Sequence, residues 1–376
     1  MKDSKIITGI DIGTTKIAVI IAEKKDGILN ILGFGKSNSS GLNKGIVIDI
    51  EKTIISINKA IKEAEKQASI EVESAYVGLT GEHIKGINCS GAISISSNEY
   101  KNPAGEQISQ KDIDKVIEHS QAINLSPDRK ILHILSREFK VDERRGIKNP
   151  IGLSGHRLEA NVHLVTIQRN IEKDLETCIE QCGIDVDGFI LEPLASSSSV
   201  LDDNEKRLGS ILIDIGGGTS DIIIHYNDSI MHTGAIPLGG ENITKDIAFG
   251  LQTSLEQAEI LKCKYGIAKE SLANSDNKIK ILGTNGREDQ EISEKDLATI
   301  IQPRLIEIFT LSKNEINKSE FKGDFTFGII LTGGGSSMKN ISDLASEIFK
   351  MPIKTGIPDS INGKIEIINN PRFSTA

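Results

Sequence analysis

The same four residues, Ile-Asp-Ile-Gly, occur twice, in "IDIGTTK" at 10–16 and in "IDIGGGTSD" at 213–221. Each copy closes an apolar run with an acid, turns through glycine and hydroxyl residues, and resumes as a β-branched run, "KIAVIIAE" or "DIIIHY". Runs of that kind read as strands, so each copy is a strand, a tight glycine turn and a second strand. A chain that carries this unit twice is constrained to a duplicated architecture. Its 376 residues exceed the size at which one core usually keeps growing, which also favours two lobes.

The rest of the chain alternates strand-like and helical segments, so the fold class is α/β. In the first half, strands at 5–12 and 16–23 precede a helix at 51–68 and a strand at 74–80. From about 82 to 160 the character changes to a Ser/Asn/Gly-rich strand region, a helix near 109–123 and strands at 131–141 and 157–167, which reads as an inserted subdomain. A helix at 171–182 follows, and 188–201 is a strand running through Pro193 into a helix of small residues. The second half predicts strands at 211–215, 222–226 and 229–235, one long helix over about 241–265 inside a polar subdomain at roughly 240–323, and a buried strand at 325–332. That last strand meets "GGGSS", after which Met338, Ile341, Leu344, Ala345, Ile348 and Phe349 recur at helical spacing.

Composition narrows the partners. A net charge of -9 and a pI near 5.4 leave no broad basic face for nucleic acid or anionic lipid. No apolar run approaches the roughly 18 to 20 residues of a membrane span, and "MKDSKIITGI" lacks the apolar stretch of a signal peptide, so the cytosol is the expected compartment. Cys89, Cys178, Cys182 and Cys263 are too few and scattered for a disulfide framework. Cys178 and Cys182 share a helical face, yet no His completes a ligand set beside them, so buried thiols are expected.

Three glycine turns, at 13–16, 216–219 and 333–337, each follow an apolar strand and suit phosphate or nucleoside binding. The first two connect strands, which separates them from dinucleotide-binding and Walker-type loops, whose glycines open a helix. Two facing turns can clamp a polyphosphate from both sides, with backbone N–H groups, Thr14, Thr15 and Thr219 donating and Lys16 countering the charge. Asp11 and Asp214 end equivalent strands, and a carboxylate facing phosphate needs a cation between them; Mg²⁺, which keeps its waters and takes one or two carboxylates, fits. The third turn, "GGGSSM", is expected to open a helix and to suit a nucleoside.

Two related halves of this kind, with a late strand-GGG-helix, resemble the actin and sugar-kinase ATPase superfamily. Within it the chain resembles the bacterial cell-division FtsA family over essentially its whole length, on the stretches "GLNKGIVIDIEKTIISINKAI", "GIKNPIGLSGHRLEANVHLVT", "LASSSSVL", "IIQPRLIEI" and "NPRFSTA". The resemblance implies an actin-like two-lobed fold with two small inserted subdomains. The first lobe core would be 1–82 and 162–187 with 360–376 returning to it, the inserted subdomain 83–161, the second lobe core 188–239 and 324–359, and its small subdomain 240–323.

It also implies ATP and Mg²⁺. The phosphate loops would be Gly13, Thr14, Thr15 and Lys16, and Gly216, Gly217, Gly218 and Thr219, with Asp11 and Asp214 holding Mg²⁺ through water. Gly239, Gly240 and Asn242 would lie near ribose and phosphates, Glu259 and Lys262 would border the nucleoside, and Gly334, Gly335, Ser336 and Met338 would line the adenine. Glu192 would orient water for slow or assembly-dependent hydrolysis. Arg304 and Glu307 match positions that bind the C-terminal tail of FtsZ, although an exposed i,i+3 pair is the plainer reading.

The inserted subdomain would serve self-association and later division proteins, at the cytoplasmic face of the inner membrane. Family members are tethered by an amphipathic C-terminal helix. No basic amphipathic segment occurs up to "NPRFSTA", so attachment is expected to lie outside these residues or to depend on a partner. The alternatives are a PilM-like adaptor of pilus assembly and a metabolic kinase, which would need an acceptor-side base that the sequence does not offer beyond Glu192.

Overall fold

The computed structural model describes residues 5–95, 105–281, 288–319, 321, 323–359, 361–362 and 370–376. β1 (Lys5–Ile12) and β2 (Lys16–Lys25) pair antiparallel as the first hairpin, and β2 turns into β3 (Ile28–Asn38). Helix α1 (Ile50–Ala68) begins where the Asp49 side chain accepts the Lys52 N–H and stops at Ser69 in the left-handed region, the two ends that capping predicts. Its Ile57, Ala60, Ile61 and Ala64 pack into the core of this lobe. Glycine in β3 lets the helix approach: a Cβ on Gly35 would lie 1.9 Å from the Ala60 carbonyl oxygen. β4 (Ser74–Leu79) then joins parallel to β1.

The chain next builds a separate antiparallel sheet from β5 (Lys85–Ser94), β6 (Arg129–Val141), β7 (Arg144–Ile147) and β8 (Arg157–Gln168), in the order β7-β6-β8-β5. Helix α2 (Gln110–Ser120) covers it, and Ile113, Val116, Phe139, Leu158 and Val162 form its own core. The far end of the strand region expected here, 96–104, lies outside the described residues. α3 (Arg169–Glu180) and β9 (Asp185–Leu191) return to the first lobe, β9 parallel to β4.

α4 (Glu192–Val200) carries the chain to the second lobe, where Val200 packs with Leu212, Ile223 and Ile330, and α5 (Asp203–Leu208) follows. The second sheet contains β10 (Ser210–Ile215), β11 (Ser220–Tyr226), β12 (Ser229–Ile236), β13 (Ile329–Thr332) and β14 (Ile353–Thr355), in the order β12-β11-β10-β13-β14. Three helices intervene before β13: α6 (Gly240–Leu251), α7 (Leu255–Tyr265) and α8 (Glu294–Lys318). The single helix expected over 241–265 is therefore two. Gln252 takes a left-handed φ of 51° and ends the first, and the Ser254 side chain caps the second. The third glycine turn also differs from expectation: Gly334–Ser337 is one turn of 3₁₀ helix, and α9 (Ile341–Phe349) starts only after Asn340, at φ 62°.

β15 (Ile361–Asn362) pairs parallel with β3, which completes the first sheet as β9-β4-β1-β2-β3-β15. The last segment lies between the lobes. Phe373 meets Phe34 edge-on with centroids 4.9 Å apart, while the Ser374 hydroxyl is 2.8 Å from that of Thr332 on β13.

Candidate functional site

Both hairpins close in the same way. The Gly13 N–H donates to the Lys16 carbonyl at 3.0 Å, and the Gly216 N–H donates to the Thr219 carbonyl at 2.9 Å. The two turns face each other, and they touch: a Cβ on Gly217 would lie 2.4 Å from Thr15 Cγ2, and one on Gly218 2.5 Å from Thr14 Oγ1. The lobes are thus closed turn against turn, and any group held between them has to part them first.

Four carboxylates gather beneath the turns. Asp11 accepts a hydrogen bond from Lys16 Nζ at 3.1 Å. Asp214 accepts from the Ser196 hydroxyl at 2.5 Å and from Thr375 at 3.3 Å. Asp221 stands opposite Asp214 in the β10–β11 register, where the first hairpin has Ala18 opposite Asp11. Both its oxygens face the Thr80 hydroxyl, at 2.6 and 2.7 Å. Glu192 opens α4, is buried, and its Oε1 has no hydrogen-bond partner among the described residues.

Like charges opposed across a hairpin repel, and burial adds to the cost. Burial, and then Asp11, Asp221 and Asp214, push the Glu192 carboxyl well above the ordinary range. Burial likewise raises Asp214, and burial together with Asp214 pushes Asp221 up to about 7. Lys16 is the cation that opposes these shifts on Glu192 and Asp214. Its ammonium also reaches the Arg372 carbonyl and sits 4.8 Å from the Phe373 ring centroid. An orphaned buried carboxylate oxygen among three further acids fits a dication. Among the described residues no three His, Cys, Asp or Glu side chains converge to hold one directly.

The second turn is braced by α6. The N–H groups of Gly240 and Glu241 donate to the carbonyls of Gly216 and Gly217 at 2.9 and 2.8 Å, and Asn242 Oδ1 accepts the Gly239 N–H at 3.0 Å. Lys262 Nζ donates to the Gly240 carbonyl at 3.0 Å, to Thr244 at 2.8 Å and to Glu259 at 2.6 Å, so Glu259 and Lys262 stand at the start of α6. Gly333 passes so close beneath, at φ 79°, that a Cβ there would lie 2.1 Å from Asp214 Oδ1. Gly334 is exposed, with the Arg372 side chain 3.7 Å from where its Cβ would be. Gly335 packs on Ile215, Ser336 is buried with its hydroxyl on the Gly333 carbonyl at 2.8 Å, and Met338 packs against the second core.

Arg304 and Glu307 stand apart from this cleft, on α8. Arg304 makes a two-pronged contact to Asp246 on α6, at 2.6 and 2.9 Å, and a third to Glu307. Phe249, one turn beyond Asp246, is 88% exposed. Sequence reasoning missed Thr80, Ser196, Asp221, Arg372 and Thr375. Only Asp221 left a signal: counting back from the glycines along an antiparallel hairpin sets it opposite Asp214.

Residues 211–376 match the family described as cell division protein FtsA, and residues 81–166 match the SHS2 domain inserted in FtsA. The chain is 41% identical to cell division protein FtsA of Pseudomonas aeruginosa, over 100% of this chain and 88% of the relative. It is 34% identical to the Escherichia coli K12 protein of that name, over 100% and 89%. Among solved structures, a PilM-PilN type IV pilus biogenesis complex aligns with a TM-score of 0.69 at 13% identity, covering 98% of this chain and 96% of that one. MreB 5 of Spiroplasma citri bound to AMPPNP aligns at 0.57 and 13%, covering 99% and 95%. The fold is therefore actin-like α/β, and the chain belongs to the cell division protein FtsA family.

Proposed function

We propose that this chain is an ATP-binding adaptor that links FtsZ filaments to the cytoplasmic face of the inner membrane during septum formation and self-associates under nucleotide control. The observation that carries the nucleotide reading is the pair of identically closed turns meeting above four buried carboxylates. Support also comes from the two relatives named above, each called cell division protein FtsA, and from a neighbour in fold that was determined with AMPPNP.

In this reading the backbone N–H groups of Gly217 and Gly218 line the phosphates, those of Gly13 and Gly216 close the two turns, Thr14, Thr15 and Thr219 donate and Lys16 supplies charge. Gly239, Gly240 and Asn242 border ribose and phosphate, and Glu259, Lys262 and the Gly334–Met338 turn border the nucleoside. A bound Mg²⁺ would be held by Asp11 and Asp214 through its waters and would supply positive charge beside the phosphates, adding to that of Lys16. Ser196, Thr375 and Thr80 hold the carboxylates in place. Burial and the neighbouring acids disfavour the ionised form of Glu192 in the closed cleft, and its unpartnered Oε1 can accept from a water and orient it. Turnover by that route is slow, and binding itself acts as a switch on lobe geometry.

The docking half of the reading rests on α6 and α8. Arg304, Asp246 and Glu307 form a charged rim beside the exposed Phe249 ring, a combination that suits a short peptide with both acidic and apolar residues. The 240–323 subdomain takes the FtsZ tail, and the 83–161 subdomain takes further copies and later division proteins.

Two titrations test this. A fluorescent ATP analogue is expected to bind with Mg²⁺ and at least tenfold more weakly in Asp214→Ala; equal affinity in the variant overturns the site. A peptide from the FtsZ C-terminus is expected to bind the wild type and to lose binding in Arg304→Glu. Retained binding removes the docking assignment and leaves the nucleotide site standing.

A further inference from the structure

β12 is the outer strand of the second-lobe sheet, and an unpaired strand edge is normally covered or defended. Here the inserted subdomain covers it. His163 on β8 is fully buried at the join, with Nδ1 2.7 Å from Asn88 Oδ1 and Nε2 2.8 Å from Thr233 Oγ1. Asn88 Nδ2 donates to the Met231 carbonyl at 3.2 Å, which orients its Oδ1 toward the ring. His163 therefore carries its proton on Nδ1, and the Thr233 hydroxyl donates to Nε2. That arrangement needs a neutral imidazole, and burial, aided by His232 and Arg137, holds its pKa down to about 3. The seat is tight: a Cβ on Gly86 would lie 2.6 Å from His163 Cε1 and 2.7 Å from Thr233 Oγ1.

The same subdomain also reaches the cleft. His133 Nε2 on β6 accepts the Leu191 N–H at 3.0 Å, immediately before Glu192 and the crossing helix α4. The chain enters the subdomain just after Thr80, whose hydroxyl holds Asp221 across the lobes. Asp221 in turn lies beside Ala235 in the β11–β12 register. One body thus grips the first lobe, the crossing and the outer strand of the second lobe.

We infer that the inserted subdomain is a latch on the cleft: its seat on β12, through His163 and Thr233, has to loosen before the two turns can part. Occupancy between the turns and exposure of the β12 edge are then coupled, and the coupling is reciprocal. The inference rests on the nucleotide reading for its ligand, and on the cross-lobe contacts alone for its mechanics.

The test uses Thr233→Val, which keeps the shape and removes the donor, with His163→Ala as the harsher variant. Association of a fluorescent ATP analogue with Mg²⁺ is followed by stopped flow, and amide exchange over 229–236 is followed in the same proteins. Association is expected to be about three- to tenfold faster in Thr233→Val, the usual worth of one buried hydrogen bond, with faster exchange at 229–236. Nucleotide added to the wild type is expected to raise exchange over the same residues. Faster exchange with an unchanged association rate overturns the latch. If the wild type binds no nucleotide, the nucleotide reading fails by itself and exchange decides: Thr233→Val must then also speed exchange at 10–16 and 216–221, and a rise confined to 229–236 overturns the latch.

Discussion

Asp221 is the residue whose position costs the fold most visibly. Its ordinary carboxyl range is near 3.8, and in the closed cleft it is pushed up to about 7. Between those values the unfolded chain has lost this proton while the folded chain keeps it. The group's contribution is therefore most favourable below about 3.8 and declines as pH rises toward 7, where it levels off. Asp221→Asn keeps the size and removes the charge. Its melting temperature is expected to exceed that of the wild type by a few degrees at pH 8, with the gap shrinking steadily toward pH 5; thermal melts across that range read it directly. A gap that does not change with pH would mean that Asp221 is already relieved of its charge conflict. Mg²⁺ is expected to narrow the gap at pH 8, because its charge offsets the ionised Asp221 that the variant lacks.

At the scale of the element, the glycines of β3 set how α1 sits. A side chain at 35 would drive into the Ala60 carbonyl oxygen, a backbone atom that no rotamer change can move. Gly35→Val is expected to lose about 3 kcal/mol or more in urea unfolding, since overpacking against backbone lies at the upper end of such costs. Much of this scale was legible in advance. The two hairpins, α1 and the crossing helix after Pro193 all follow from period and β-branching. The break between α6 and α7 was not, because Ile247, Ala248, Leu251, Leu255, Ala258 and Leu261 continue one apolar pattern past Gly250, and the residue that turns left-handed is Gln252. Nor was the delayed start of α9, since Met338 has the right spacing for a helix and serves instead as the end of a 3₁₀ turn. The candidate site divides in the same way. Its turns and first two acids are local signals, whereas Thr80, Ser196 and Thr375 meet their carboxylates only through tertiary structure.

For the whole molecule, the two large cores are joined through α4 and through the segment 370–376. Phe373 takes part on the first-lobe side, against Phe34 and under the Lys16 ammonium, while Ser374 takes part on the second. Phe373→Ala is expected to weaken the union more than either lobe, so calorimetry should show the wild-type unfolding peak broaden or split in two. A peak that only shifts would assign Phe373 to one lobe's own stability.

The pairing of β15 with β3 sets an order of events during synthesis. The second-lobe sheet draws its strands from 210 to 355 and can be complete while the chain is still being made. The first sheet begins at Lys5 yet waits for Ile361 and Asn362 to pair with Leu29 and Asn30 at the start of β3. On the ribosome the lobe that starts first is therefore finished last, and in the interval β3 is an open template for strands of other nascent chains.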